Sequence, residues 1–180
     1  MGTDIHQLNI VKDGSGKVLS IEGIWPDMEY SKESKLGEKQ LLGPFPELVE
    51  CRNYALFAIL AGERGEEFEI QDREHGIPKE LEGNKEFEAA AEGLFDFTWY
   101  TLPQLLDGLR FTLKKIKLFI KASAFNDPAF VSLGEIDTYI YLQRDVRAMI
   151  QKLEDVWQFC RTSGKEELFE NSVVLFAFDC

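Results

Sequence analysis

The sequence predicts a single α+β domain over residues 1–180, built from one antiparallel sheet with two long helices packed on one face of it. Three observations predict this class: a hairpin-like pattern at the N-terminus, two long stretches of helical periodicity in the second half, and a short apolar run near the C-terminus. The chain is 44% hydrophobic and contains 14 Phe, so it carries enough apolar surface to fold around a core without disulfide bonds.

The first half of the chain is punctuated by turn residues. Residues 3–25 contain two runs with strand character around a glycine-rich turn, which predicts a β-hairpin. Residues 26–50 are interrupted by Pro and Gly and are expected to form a loop. Asn53 can cap a short apolar helix over residues 54–61, and Gly62 is expected to end that helix.

Strand and helix patterns are clearer in the second half. The alternating residues 95–100 predict a strand, and Thr101 then begins a capping box. Apolar side chains recur at helical spacing over residues 101–123 and again over residues 132–161, which also open with a capping box. Residues 172–178 are almost continuously apolar, which predicts a buried strand that pairs with the N-terminal strand and brings the chain ends together.

The charge of the chain limits its partners. Lys and Arg number 20 against 32 Asp and Glu, a formal net charge of −12. Such a surface repels phosphate backbones, so we expect no direct nucleic-acid binding. Residues 63–93 hold 11 acidic and 4 basic side chains. This segment is expected to be an acidic, exposed excursion with a short helix inside it.

Cysteine usage and hydropathy indicate a compartment. The three cysteines, Cys51, Cys160 and Cys180, are far apart and odd in number, which argues against a disulfide framework and against a cysteine-rich zinc site. The N-terminus lacks the basic and apolar regions of a signal peptide. No stretch approaches the roughly 18 apolar residues of a membrane span. We therefore expect a cytoplasmic protein that does not enter a membrane.

Polar residues near the two chain ends form the first candidate site. Asp4 and His6 are two residues apart in a predicted strand, so they share one face of the sheet. If the last strand runs antiparallel beside the first, Asp179 lies near Asp4. Two carboxylates and one imidazole can hold a divalent metal ion or transfer protons. The alternative is that all three are polar strand ends without a function.

Arg52 and Asn53 form the second candidate site, because they stand directly before a short helix. The backbone amides of a helix N-terminus and an adjacent guanidinium both attract phosphate or carboxylate groups. The alternative is that Asn53 only caps the helix and Arg52 pairs with an acid. The aromatic run 95–100 and the lysines of residues 114–121 are better explained by core packing and by a solvated helix face. No motif of a common enzyme class, such as GxGxxG, HExxH or GxSxG, is present.

Four blocks of the sequence are, in chain order, MGTDIH, RNYALFAILAG, GIP and VLFAFD. They resemble the MGxDIH, RNYxLFAILAG, GLP and VFxFD blocks of a set of phage and prophage proteins to which no biochemical activity is assigned. The resemblance implies a protein of the cytoplasm of a bacterial host. It also implies these recurring polar residues: Asp4, His6, Arg52, Asn53 and Asp179. The chain departs from the set at Thr3, where Cys is frequent, and in residues 95–100, which lack its His-Ser pair.

We therefore expect a binding protein that engages a host macromolecule or sequesters a small, nucleotide-like anion, in a counter-defence role. The alternative is a metal-dependent hydrolase of a nucleotide or phosphate ester, in which Asp4, His6 and Asp179 hold the metal and Arg52 orients a phosphate. A third hypothesis is an acidic mimic of DNA charge, formed by the carboxylates of residues 63–93. The sequence leaves open whether the chain is an enzyme, which cofactor it takes and how many copies assemble.

Overall fold

A computed structural model of the chain describes residues 5–24, 46–49, 54–62, 68–125 and 133–179. Within these ranges, five strands form one antiparallel sheet in the order β2-β1-β5-β4-β3. The strands are β1 (Ile5–Lys12), β2 (Val18–Ile24), β3 (Glu74–His75), β4 (Phe95–Thr101) and β5 (Val173–Phe178). The helices are α1 (Tyr54–Ala61), α2 (Lys85–Ala90), α3 (Leu102–Phe125), α4 (Leu133–Thr162) and α5 (Glu166–Asn171). The predicted fold class is confirmed.

The hairpin forms around an aspartate-centred turn. β1 and β2 pair antiparallel, with Ile10 opposite Ile21. The Oδ1 atom of Asp13 accepts hydrogen bonds from the backbone amides of Ser15 and Lys17, at 2.8 and 3.0 Å. An aspartate that bonds to the amides after it holds the chain in a turn. The hairpin that the glycine-rich turn predicts is therefore confirmed.

β5 lies at the centre of the sheet. It pairs antiparallel with β1, where Ile5 lies opposite Phe178, and antiparallel with β4, where Thr101 lies opposite Val173. All of its residues are buried. A strand with neighbours on both edges and cover on both faces needs apolar side chains in every position, which explains the continuous apolar run. The predicted pairing of the first and last strands is confirmed.

α3 and α4 cover one face of the sheet, which we call the helix face. It carries the buried side chains of Tyr100, Val174 and Phe176, which belong to the same core as the apolar stripes of both helices. The capping box at the start of α3 is formed as predicted. The backbone amide of Thr101 donates to Oε1 of Gln104 at 2.9 Å, and the amide of Gln104 points back to Oγ1 of Thr101 at 3.4 Å. The second capping box begins at residue 132, outside the described residues.

The opposite face of the sheet, which we call the α2 face, is covered by residues 79–94. Leu81 and Phe87 are fully buried there against Leu8 and Leu175. The expectation that residues 63–93 form an acidic, exposed excursion stays a prediction, and the described part of that segment also buries apolar side chains. Most of its charged side chains are exposed, whereas Leu81 and Phe87 belong to a second core layer. A central strand with apolar residues on both faces needs such a cover.

Residues 68–70 are attached to α3 at a glycine. A Cβ atom added to Gly108 would lie 2.4 Å from Cγ2 of Ile70, so only glycine lets this segment lie directly on the helix. One turn further on, Oγ1 of Thr112 donates a hydrogen bond to the backbone oxygen of Phe68 at 2.8 Å. Gly108 lowers the helix propensity of α3. Its missing side chain leaves the space in which Ile70 packs against the helix.

Candidate functional site

The paired chain ends bring His6 and Asp179 into contact. Nε2 of His6 lies 3.1 Å from Oδ2 of Asp179. The antiparallel register sets this contact, because His6 lies opposite Ala177 and the chain continues to Asp179 two residues later. His6 shares its face with Leu8 and therefore lies on the α2 face, away from the long helices. Two of the five candidate residues are thus adjacent.

Both side chains reach solvent to different extents. The side chain of His6 is 12% exposed and that of Asp179 is 35% exposed. An imidazole oriented by a carboxylate is a common arrangement for proton transfer, metal ligation and anion recognition, because the carboxylate fixes the orientation and tautomer of the ring. The pair therefore has the side-chain chemistry of a site and is partly exposed to solvent.

A strained residue stands at the same end of the sheet. The pairing of β4 with β5 shifts register between Phe95 and Thr98, and Asp96 in this bulge has a φ of 52°. Among the described residues, Asp96 alone combines a side chain with positive φ. Phe95 lies opposite Phe178, the residue before Asp179. Bulges and left-handed side-chain residues concentrate near functional sites. We call His6, Asp96 and Asp179 the sheet-end residues.

Asp96 is a site candidate that the sequence pattern did not reveal. It stands within the aromatic strand run, where one polar residue is compatible with ordinary alternation. Its conformation depends on a register shift against β5, and no local pattern of residues encodes that shift. The sequence feature that could have indicated the bulge is the aspartate, because Asp tolerates the left-handed region better than most residues and is unfavourable in strands.

α1 begins over this end of the sheet, on the helix face. The ring centroid of Phe57 lies 4.5 Å from that of Phe178 and 6.3 Å from that of Phe95. Phe57 is in the first turn of α1, so the start of the helix is positioned by these ring contacts. Arg52 and Asn53 precede this helix in the sequence, and they lie outside the described residues. Asp4 lies outside them as well.

The metal hypothesis stays a prediction. Within the described residues, no group of three His, Cys, Asp or Glu side chains is arranged to hold a metal ion. The predicted ligand set consists of Asp4, His6 and Asp179, and Asp4 is outside the described ranges. His6 and Asp179 supply a nitrogen and an oxygen ligand, a donor set that first-row divalent metals accept.

Buried amides on the helix face serve the fold instead. Nε2 of Gln7 donates to Oδ1 of Asn9 at 2.9 Å and to the backbone oxygen of Pro46 at 3.2 Å. Oε1 of Gln7 accepts from the amide of Leu48 at 2.8 Å. Gln7 and Asn9 are nearly inaccessible to solvent. These hydrogen bonds attach residues 46–49 to β1. The burial of the two amide side chains therefore has a structural reason.

The aromatic run of β4 packs in the core, as the alternation predicts. Phe95 faces the helix-side core, whereas Phe97 and Trp99 contact the core of the α2 face. The hydroxyl of Tyr100 donates a hydrogen bond to the backbone oxygen of Leu60 in the interior. Burial raises the pKa of Tyr100 above its usual range. None of these rings forms an open stacking platform.

No family model matches the chain, and no curated protein or solved structure is significantly similar to it. The resemblance to phage and prophage proteins therefore stays a prediction. Among the helices of the described residues, none has the length and apolar character needed to cross a membrane.

Proposed function

We propose that the chain is a binding protein that sequesters a small, anionic, nucleotide-like ligand at the sheet-end residues. The observation that carries the proposal is the 3.1 Å contact between His6 and Asp179 at a partly exposed position. The strained Asp96 on the neighbouring strand supports it. The phage origin implied by the sequence blocks suits a protein that removes a host signal molecule.

An anionic ligand needs more positive charge than the sheet-end residues carry, because they include two carboxylates. In a chain of net charge −12, an anion needs local positive groups. Arg52 is the predicted source of that charge, because it precedes α1 in the sequence and the first turn of α1 packs on Phe178, and His6 can donate a ring N–H. A guanidinium binds phosphate through two parallel hydrogen bonds. The carboxylate of Asp179 accepts hydrogen bonds from hydroxyl or amino groups, which a nucleoside also carries.

Calorimetric titration tests this function. Purified full-length protein is titrated with nucleoside mono-, di- and triphosphates and with cyclic nucleotides. We expect one of these classes to bind, and His6→Gln and Arg52→Gln each to weaken binding about tenfold or more, as loss of a charge-assisted hydrogen bond does. His75→Gln is the matched control, because His75 is the other histidine and is exposed on β3. The absence of binding, or equal losses in His6→Gln and His75→Gln, contradicts the proposal.

Metal-dependent hydrolysis is the second candidate, because two of its three predicted ligands, His6 and Asp179, are in contact. A panel of nucleotide and phosphate-ester substrates is assayed with Mg²⁺ or Mn²⁺, and again with EDTA. Turnover that requires metal and is lost in Asp4→Ala identifies an enzyme. Binding without turnover, or turnover that is equal in Asp4→Ala, removes this candidate and leaves sequestration.

A further inference from the structure

The longest stretch of sequence with basic but no acidic side chains lies in α3, where Arg110 is paired with Asp107 and Glu154. Residues 108–125 contain five Lys and Arg and no Asp or Glu, in a chain whose net charge is −12. Lys114, Lys117 and Lys121 are exposed to solvent. No other part of the sequence combines this length with a purely basic character. The local charge of this helix is therefore opposite to that of the protein as a whole.

Two large apolar side chains stand between these lysines. Phe111 is 56% exposed and Leu118 is 59% exposed, and their spacing of seven residues puts them on one side of the helix. The core side of α3 is already formed by residues such as Leu109 and Ile116, which are fully buried. Nζ of Lys115 lies 4.9 Å from the ring centroid of Phe111. We call Phe111, Lys114, Lys115, Leu118 and Lys121 the α3 outer face.

The first turns of α4 also carry exposed apolar side chains. The rings of Phe119 and Tyr139 are 4.5 Å apart, so Leu118 and Ile140, which neighbour this pair in sequence, lie at the same level of the two helices. Ile140 is 47% exposed. The next residue, Tyr141, is 60% exposed and has the guanidinium of Arg144 5.3 Å from its ring centroid. Apolar side chains flanked by cations therefore stand on both long helices.

We propose that the α3 outer face docks an acidic amphipathic helix of a partner protein. Apolar residues at i and i+7 form the kind of seam that a second helix fills with its own apolar stripe. The flanking lysines then meet carboxylates, because charge complementarity selects the partner and its register. This docking surface is independent of the sheet-end residues, so neither proposal depends on the other.

Other occupants fit this face less well. A second copy of the chain packed through the same face would place lysines against lysines. A phosphate backbone would pair with the lysines but leave Phe111 and Leu118 without apolar contacts. A membrane-surface helix buries its whole apolar face in lipid. The main apolar face of α3 is in the protein core, so α3 itself offers an acyl region only the side chains of Phe111 and Leu118.

Fluorescence anisotropy with synthetic helices tests the proposal. The probe is a labelled 21-residue peptide with Leu at the a and d positions and Glu at e and g (a length of about three heptads), and its partner probe has Lys in place of Glu. We expect the acidic peptide to bind the full-length protein and the basic peptide not to bind. Lys114→Glu/Lys121→Glu and Phe111→Ser/Leu118→Ser should each weaken binding about tenfold or more.

Two controls separate docking from general charge effects and from misfolding. Lys17→Glu/Arg161→Glu changes the charge equally at exposed positions outside α3 and should leave binding unchanged. Lys114→Glu/Lys121→Glu should gain affinity for the basic peptide, which an unfolded variant cannot do. Equal binding of both peptides, no binding of the acidic one, or binding only to phosphatidylserine vesicles overturns the proposal, the last in favour of a membrane surface.

Discussion

The two faces of the sheet are covered in different ways. The helix face is covered by α3 and α4, which are 24 and 30 residues long. The α2 face is covered by a segment whose regular elements are a three-residue 3₁₀ turn at Lys79–Leu81 and the six-residue α2. Both covers nevertheless bury fully inaccessible side chains against β1 and β5. The net charge of a segment therefore describes its exposed side chains and does not show whether its apolar side chains are buried.

The largest expected effect tests whether the α2 face is a true core. Phe87 is fully buried against this face, so Phe87→Ala should lower the free energy of unfolding by ~3–5 kcal/mol. Leu109→Ala, on the helix face, should cost ~2–5 kcal/mol. Urea denaturation measures both, with the partly exposed Phe159→Ala as the matched control. A cost below ~1 kcal/mol for Phe87→Ala would mean that residues 79–94 only rest on the sheet.

The next effect concerns the glycine that ends α1. Gly62 has a φ of +67°, and an added Cβ would lie 2.0 Å from Cζ of Arg73. Gly62→Ala should therefore cost ~2–3 kcal/mol, since it combines backbone strain with a steric clash. Gly83 has a φ of +72° and nothing within 4 Å of an added Cβ. Gly83→Ala should cost only ~1 kcal/mol. Equal costs in thermal unfolding would show that Arg73 moves away freely.

These two glycines also show how far the sequence could predict the fold. The end of α1 at Gly62 was predictable because an apolar helix followed by glycine is a local pattern. β3 and α5 were not predicted, because two and six residues are too few for a periodic signal. The same holds for the second core layer at Leu81 and Phe87, whose flanking charges dominate the composition.

The candidate site was predictable to a similar extent. The contact between His6 and Asp179 follows from one inference, that the buried terminal strand pairs with the first strand. The conformation of Asp96 depends on a register shift that only the assembled sheet defines. The roles of Asp4, Arg52 and Asn53 stay predictions, because the structure does not describe these residues.

A smaller, pH-dependent effect concerns the ion pair that attaches residues 79–94, the cover of the α2 face, to β1. Nζ of Lys12 lies 2.9 Å from Oε1 of Glu80, and both side chains are largely buried. Burial raises the pKa of Glu80, but the hydrogen bond from Lys12 and the nearby positive charges outweigh it, so the pKa lies below its ordinary value of 4.5. The stabilisation is therefore present above about pH 4.5 and is lost as the pH falls through the lowered pKa.

Glu80→Gln measures this contribution. It should cost ~1–2 kcal/mol at pH 7, and the difference from the unmodified protein should shrink steadily below the ordinary glutamate pKa. Urea denaturation across the acid range gives the profile, and Glu82→Gln, exposed on the same segment, is the control. A difference that is constant with pH would show that the carboxylate is not ionised in the pair.

The smallest expected change in stability is at Asp96, where substitutions should affect ligand binding more than folding. Asp96→Gly relieves the positive φ of 52° but removes a side chain, so the free energy of unfolding should change by less than ~1 kcal/mol in either direction. If the strain at Asp96 serves ligand binding, the same substitution should weaken binding of the nucleotide found by calorimetry about tenfold. Asp96→Asn, which tolerates the left-handed region, should keep stability and isolate the role of the charge. If affinity is unchanged in both variants, Asp96 takes no part in ligand binding, and the binding site consists of His6 and Asp179 without it.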